Sequence, residues 1–187
     1  MNAVLRAIAR RRSTRKFRPD AVGAAELEAV LTAGLQAPTA HNDQSCYFVV
    51  VQDAGLIREM SDGSKREMQK VAVDWVAAAG RAEGYHIYYD APTVVIVATR
   101  RDAVAPEADA SAAIENMMIA AESLGLGSCW IGFARFFFAA PENNRRFEIP
   151  EGYEVRYGLA LGYKAAGAAS QPPARKRQKY YHVLKVR

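Results

Sequence analysis

Residues 111–132 read S-A-A-I-E-N-M-M-I-A-A-E-S-L-G-L-G-S-C-W-I-G. Over residues 111–124, Ile114, Met117, Met118, Ala121 and Leu124 recur on one helical stripe, with alanines around them. A helix this apolar belongs in the middle of a fold. The glycines at 125 and 127 then close it as a C-cap, and residues 128–133 follow as a short apolar strand or edge segment. A buried helix that hands the chain directly to a strand predicts an α+β architecture, with helices laid on a sheet.

Working outward, T-V-V-I-V-A-T at residues 93–99 is a buried central strand. Y-F-V-V-V-Q at 47–52 is also a strand, with too little alternation to be half exposed. Residues 155–163 supply one more. Helical spacing predicts a short helix over 2–11, with Val4, Leu5 and Ile8 on one face, and a second over 25–36, with Leu27, Val30, Leu31 and Leu35, ended by Pro38. Residues 56–80 read as one helix, 81–90 as loop or a frayed turn, and 142–147 as a turn or two of helix. A-A-G-A-A-S-Q-P-P-A, residues 165–174, is a low-complexity linker, and residues 180–186 form a β-like tail with no later partner in the chain. Four or five strands alternate with helices, without an internal repeat. An unpaired tail of this kind can add to another chain's sheet.

The chain has 187 residues, half of them hydrophobic and 24% charged, which fits one globular domain and excludes wholesale disorder. Its longest apolar runs are too short to cross a bilayer, and residues 1–12 lack the apolar stretch of a secretory signal. Cys46 and Cys129 lie too far apart in sequence to suggest a disulfide framework or a metal knuckle, so the expected compartment is the reducing cytoplasm. The formal charge of +5 is segregated. Residues 1–20 hold seven basic side chains against Asp20, residues 175–187 hold six and no acid, and the body between carries −7. Two basic ends on an acidic body suggest an anion held where the ends meet, or nucleic acid; solvated termini are the plainer alternative.

Dinucleotide, Walker and nucleophile-elbow motifs are absent, since Trp130 stands where a third glycine would be needed in G-L-G-S-C-W. His41, His86 and His182 share no metal-ligand spacing, and no catalytic carboxylate pair stands out. Two segments remain. R-R-S-T-R-K-F, residues 11–17, can set guanidinium forks and a hydroxyl around a phosphate, although arginines after a helix also complement its dipole. A-P-T-A-H-N-D-Q, residues 37–44, offers Thr39, Asn42 and Gln44 to the edge of a planar heterocycle, or is an ordinary polar turn.

Taken in order, these pieces resemble the FMN-dependent nitroreductases over nearly the whole chain. The opening R-R-S-x-R-x-F is Arg11, Arg12, Ser13, Arg15 and Phe17. A-P-S-x-x-N-x-Q-P-W-x-F-x-V-V is similar to residues 37–51, A-P-x-x-I-x-V to residues 91–97, the alanine-rich helix with G-L-G-x-x-W-I-G to residues 112–132, and I-x-L-G-Y to residues 159–163. The late basic pair matches Arg175 and Arg177.

The resemblance implies nitroreductase-like helices packed on a mixed, mainly antiparallel central sheet, with a C-terminal tail exchanged in a homodimer. Residues 1–164 would form the FMN-binding domain, and 165–187 the linker and exchanged tail. It implies FMN as cofactor, NADH or NADPH as electron donor, and ping-pong hydride transfer to a small-molecule acceptor such as a nitroaromatic or quinone, with no membrane or nucleic-acid partner. Arg11 and Ser13, with Arg175 and Arg177, would hold the phosphate, Arg12 would be a further cofactor-binding residue, and Arg15 would reach the flavin N1/O2 edge, where a cation stabilises the reduced cofactor. Pro38, Thr39, Ala40, Asn42 and Gln44 would form the polar loop contacting a flavin bound mainly by the other subunit. The backbone around Trp130, Ile131 and Gly132 would face N5. No side chain is then needed as a catalytic nucleophile or base. Two positions depart from the pattern: Q-P-W is Gln44-Ser45-Cys46, and Ile131 stands where some members have Glu. Residues 53–89 are the candidate lid. Branches with reductive dehalogenation or flavin fragmentation, and a basic nucleic-acid-binding domain, are the alternatives.

Overall fold

The computed structural model describes residues 1–168. Twelve elements follow one another along these residues. They begin with α1 (Ala3–Arg10), α2 (Ala24–Leu35), a 3-10 turn (Ala40–Asn42), β1 (Cys46–Val51), α3 (Ala54–Met68) and α4 (Asp74–Arg81). There follow β2 (Thr93–Arg100), α5 (Pro106–Ser123), β3 (Leu126–Ile131), α6 (Ala134–Phe137), α7 (Pro141–Arg146) and β4 (Tyr153–Tyr163). The strands form a single four-stranded sheet in the order β1-β2-β4-β3, antiparallel at every pairing of these strands.

The sheet is the middle of three layers. From the central strand β2, Val95 and Val97 point into an apolar cluster with Val30 of α2 and Ile114, Met117 and Met118 of α5. Val94, Ile96 and Ala98 point the other way, against Ile57 and Met60 of α3, Val76 of α4 and Phe137 of α6. Seven of the eight β2 residues are buried, so the absence of alternation in T-V-V-I-V-A-T reflects burial on both faces. Helix α5 is the apolar helix the sequence predicts, and it starts earlier, with Pro106 in its first turn and Glu107 and Asp109 favourably placed at its N-terminal end.

Other boundaries also moved. The helix predicted over 56–80 is two helices, α3 and α4, packed against each other; Lys65 Nζ donates to the Ala82 carbonyl at 2.7 Å and Gln69 Nε2 to the Gly80 carbonyl at 3.1 Å. A Cβ on Gly80 would lie 2.7 Å from the Lys65 carbonyl, so the close approach of the pair requires glycine there. Gly125, at φ 79°, alone ends α5, and β3 begins already at Leu126. Leu124 falls outside the core stripe, at 41% exposure. Short helix α6 had no predicted counterpart. In α1 the burial is the reverse of the expected one: Ala7 is buried, whereas Val4, Leu5 and Ile8 are 61%, 51% and 47% exposed.

Candidate functional site

The chain leaving α1 crosses the sheet beside β3. Ser13 pairs in parallel with Ser128, and the Thr14 N–H donates to the Ser128 carbonyl at 2.8 Å. Phe17 then pairs with Lys164, beyond the end of β4. Gly127 and Gly162 face each other across β3 and β4. A Cβ on Gly127 would come within 2.6 Å of Thr14, and one on Gly162 within 2.9 Å of Pro92 and 3.1 Å of Phe17. The second glycine of G-L-G and the glycine of L-G-Y thus make a flat floor over which the opening motif is laid.

That crossing gathers the predicted cations of the first segment. Arg11 Nε lies 3.4 Å from Glu115 of α5. One terminal nitrogen of Arg12 donates to the carbonyls of Ala9 and Arg11, while its Nε is buried without a partner among the described residues. Arg15 is exposed, and its guanidinium carbon lies 5.5 Å from the centroid of the Tyr89 ring. A hydrogen bond to Tyr89 raises the Arg15 pKa further above its ordinary value, against the opposing effect of burial. Burial raises the Cys129 thiol pKa, offset in part by Arg15 and by a hydrogen bond to Ser13, so this cysteine is held as a neutral thiol.

The second predicted segment lies at the other edge of the sheet. Residues 37–45 lead into edge strand β1, whereas Ser13 sits on edge strand β3. Four interstrand spacings, about 19 Å, separate the two across the sheet, and they lie at opposite strand ends: Cys46 is level with Thr99 of β2, Ser128 with Leu161 and so with Thr93. Pro38, Thr39, Asn42 and Gln44 line a cavity of about 540 Å³ together with Leu35 and Cys46. His41, Asn42 and Gln44 all have left-handed backbone, at φ 54°, 55° and 47°. The buried carboxylate of Asp109, 2% exposed at the start of α5, accepts from the Ala40 N–H at 3.0 Å and from the Ser45 hydroxyl at 2.7 Å. The Thr39 hydroxyl accepts from the Gln44 N–H at 2.9 Å, and Asp43 pairs with Arg100 at the end of β2. Burial, with Asp109 nearby, pushes the Cys46 thiol up to about 11, so it is no nucleophile at neutral pH.

At the end of β3 the side chains alternate. Trp130 packs edge-to-face on Tyr157, with centroids 4.9 Å apart, and Ile131 is buried in the opposite cluster. Among the described residues, no heavy atom lies within 4 Å of where a Gly132 Cβ would be, so the backbone there borders open space. Beyond it Phe133 meets the exposed Trp75 of α4, with centroids 5.8 Å apart.

Within one chain, then, Arg11, Arg12, Ser13 and Arg15 follow one another past β3, and Pro38, Thr39, Ala40, Asn42 and Gln44 lie at the far edge. Arg175 and Arg177 lie outside the described residues, as do the tail at 180–186 and the end of the linker. Sequence reasoning missed Tyr89, Tyr85 and Asp109. The aromatic run in G-Y-H-I-Y-Y-D, directly before a buried strand, was the signal for the tyrosines. Asp109 lay just before the helix expected from residue 111, where nothing marked it.

Comparison with known proteins follows the same lines. A solved nitroreductase with bound FMN from Bacteroides fragilis is 33% identical, with 98% of this chain and 100% of that one covered and a TM-score of 0.91. A second, from Desulfitobacterium hafniense and also with bound FMN, is 26% identical over 97% of this chain and 100% of that one, with a TM-score of 0.85. The FMN reductase (NADPH) of Bacillus subtilis is 28% identical over 97% of this chain and 74% of its own length. A sequence profile of the Nitroreductase family matches residues 8–163, and the chain belongs to that family.

Proposed function

We propose that the protein is an FMN-dependent oxidoreductase that takes electrons from NADH or NADPH and delivers them to a small-molecule acceptor of the nitroaromatic or quinone type. The observation that carries this reading is the laying of the opening motif on the glycine floor of β3 and β4. It carries three arginines and a serine hydroxyl along β3, Arg11 beside Glu115 of α5 and Arg15 beside Tyr89, with one buried guanidinium nitrogen, Arg12 Nε, lacking a partner among the described residues. An orphaned cationic donor between half-buried Arg11 and exposed Arg15 suits an anionic ligand, and among the described residues the backbone at Gly132 borders open space. These residues fit FMN.

In this reading Arg11 and Ser13 hold the phosphate, joined by Arg175 and Arg177 from the basic C-terminal segment. FMN supplies the hydride acceptance and donation, chemistry that no protein side chain provides. Arg15 sets a positive charge at the N1/O2 edge. The backbone at Gly132 would border the reacting part of the cofactor. Ile131 is buried, so no acid is offered from that position. The loop carrying Pro38, Thr39, Ala40 and Asn42 lies four interstrand spacings, about 19 Å, across the sheet from Ser13 and at the opposite strand end, so a site using both segments draws the loop from a second copy. A homodimer with the flavin at the interface satisfies this, and exposed Val4, Leu5 and Ile8 offer apolar surface for it.

Steady-state kinetics test the activity. Varying NADPH or NADH against a quinone should give parallel double-reciprocal lines, and Arg11→Ala should bind FMN about tenfold more weakly, the loss of one charge-assisted hydrogen bond. Absence of NAD(P)H oxidation in the FMN-saturated protein contradicts the reading.

A further inference from the structure

The turn at residues 85–90 is built with unusual care for a loop. Tyr89 and Asp90 both have left-handed backbone, at φ 57° and 53°, and for a residue as bulky as tyrosine that conformation is strained. Several contacts hold it. The Tyr89 N–H donates to the His86 carbonyl at 2.9 Å, and the Ala91 N–H to the Tyr88 carbonyl at 3.1 Å. His86 Nδ1 accepts from the N–H groups of Tyr88 and Asp90 at 3.2 and 3.3 Å, on either side of Tyr89. The Ile87 N–H donates to Ser61 Oγ at 3.1 Å, anchoring the turn to α3. Ile87 and Tyr88 are fully buried. The one strained aromatic ring this scaffold presents is the ring facing the Arg15 guanidinium, and Tyr85 backs it edge-on, with centroids 6.1 Å apart.

A strained residue persists where its surroundings over-determine it, and such residues gather at functional sites. Arginine without a fixed neighbour samples many rotamers, whereas a ring face at one end restricts it. We propose that Tyr89 is a positioning residue that aims Arg15 at the flavin N1/O2 edge, so that the 85–90 turn sets the reduction potential of the bound cofactor. This rests on the reading of Arg15 given above. A cation fixed at that edge favours the reduced cofactor over the oxidised one, since negative charge develops there on reduction. Tyr89 touches Arg15 and acts through it.

The test is spectroelectrochemistry on the full-length, FMN-loaded protein. Asparagine tolerates left-handed backbone, so Tyr89→Asn removes the ring without adding strain. Tyr89→Asn should lower the preference for reduced over oxidised FMN about tenfold, which for a two-electron couple is about 30 mV. Tyr89→Phe, which keeps the ring, should retain the larger part of the potential. In an Arg15→Ala background, Tyr89→Asn should produce no further drop. An unchanged potential in Tyr89→Asn, or an equal drop without Arg15, overturns the inference and leaves the flavin function standing. Failure of the parent protein to bind FMN on titration overturns both.

Discussion

Asp109 shows how much of the site depends on one side chain remote from the recognisable motifs. Its two oxygens satisfy the Ala40 N–H and the Ser45 hydroxyl, and so fix a loop whose backbone is left-handed at three non-glycine residues. Asp109→Ala leaves both donors without their acceptor, at a cost of about 1–3 kcal/mol each. We expect a loss near 2 kcal/mol and a fall in Tm of about 4–8 °C for a chain this size, with weaker FMN binding alongside. Thermal denaturation with and without FMN checks this; an unchanged Tm contradicts the anchoring role. Arg11, Ser13 and Arg15 were legible in the sequence because they lie within five residues of one another. Asp109 was not, because its partners at 40 and 45 meet it only after α5 has packed beside β1. Tyr89 escaped for a similar reason: its meaning lies in Arg15, far away in sequence.

Among the elements, T-V-V-I-V-A-T read most clearly, as a strand buried on both faces, whereas the strand at 47–52, expected not to be half exposed, is the edge strand β1 with only Val51 buried. The break between α3 and α4 was not legible, because Gln69, Lys70, Val71, Ala72 and Val73 hold no glycine or proline to mark it. The 85–90 turn was read only as loop, and its rigidity comes from His86. Burial lowers the His86 pKa, and its Nδ1 must remain unprotonated to accept from Tyr88 and Asp90. The group therefore takes up a proton more readily unfolded than folded. Between its depressed folded pKa and the ordinary value of about 6.5, the unfolded chain binds more protons, and stability rises with pH. This contribution is in place above about pH 6.5 and fades as pH falls through that window. Urea unfolding between pH 5 and 7 should show a steeper pH dependence for the parent than for His86→Ala; equal slopes contradict the assignment.

Across the whole molecule, the sheet explains why a single chain looks half-finished. The motif cations line one edge, and the polar loop flanks the other. The amphipathic pattern of α1 was visible in the sequence, but a single chain does not say what covers its apolar face. On a monomer, Leu5→Glu with Ile8→Glu alters exposed residues and should change stability by only about 0.5 kcal/mol. If that face lies between two copies, the same pair of changes should give folded monomer and weaken FMN binding together, measurable by light scattering and flavin titration. A dimer that keeps its FMN would remove α1 from the interface.

The most direct measurement is the visible spectrum of the full-length protein under anaerobic conditions. The account predicts a flavin absorption band that bleaches on adding NADH or NADPH and returns when a quinone or nitroaromatic is supplied. A colourless protein that takes up no FMN on titration, or a bound flavin that neither nicotinamide reduces, would contradict it.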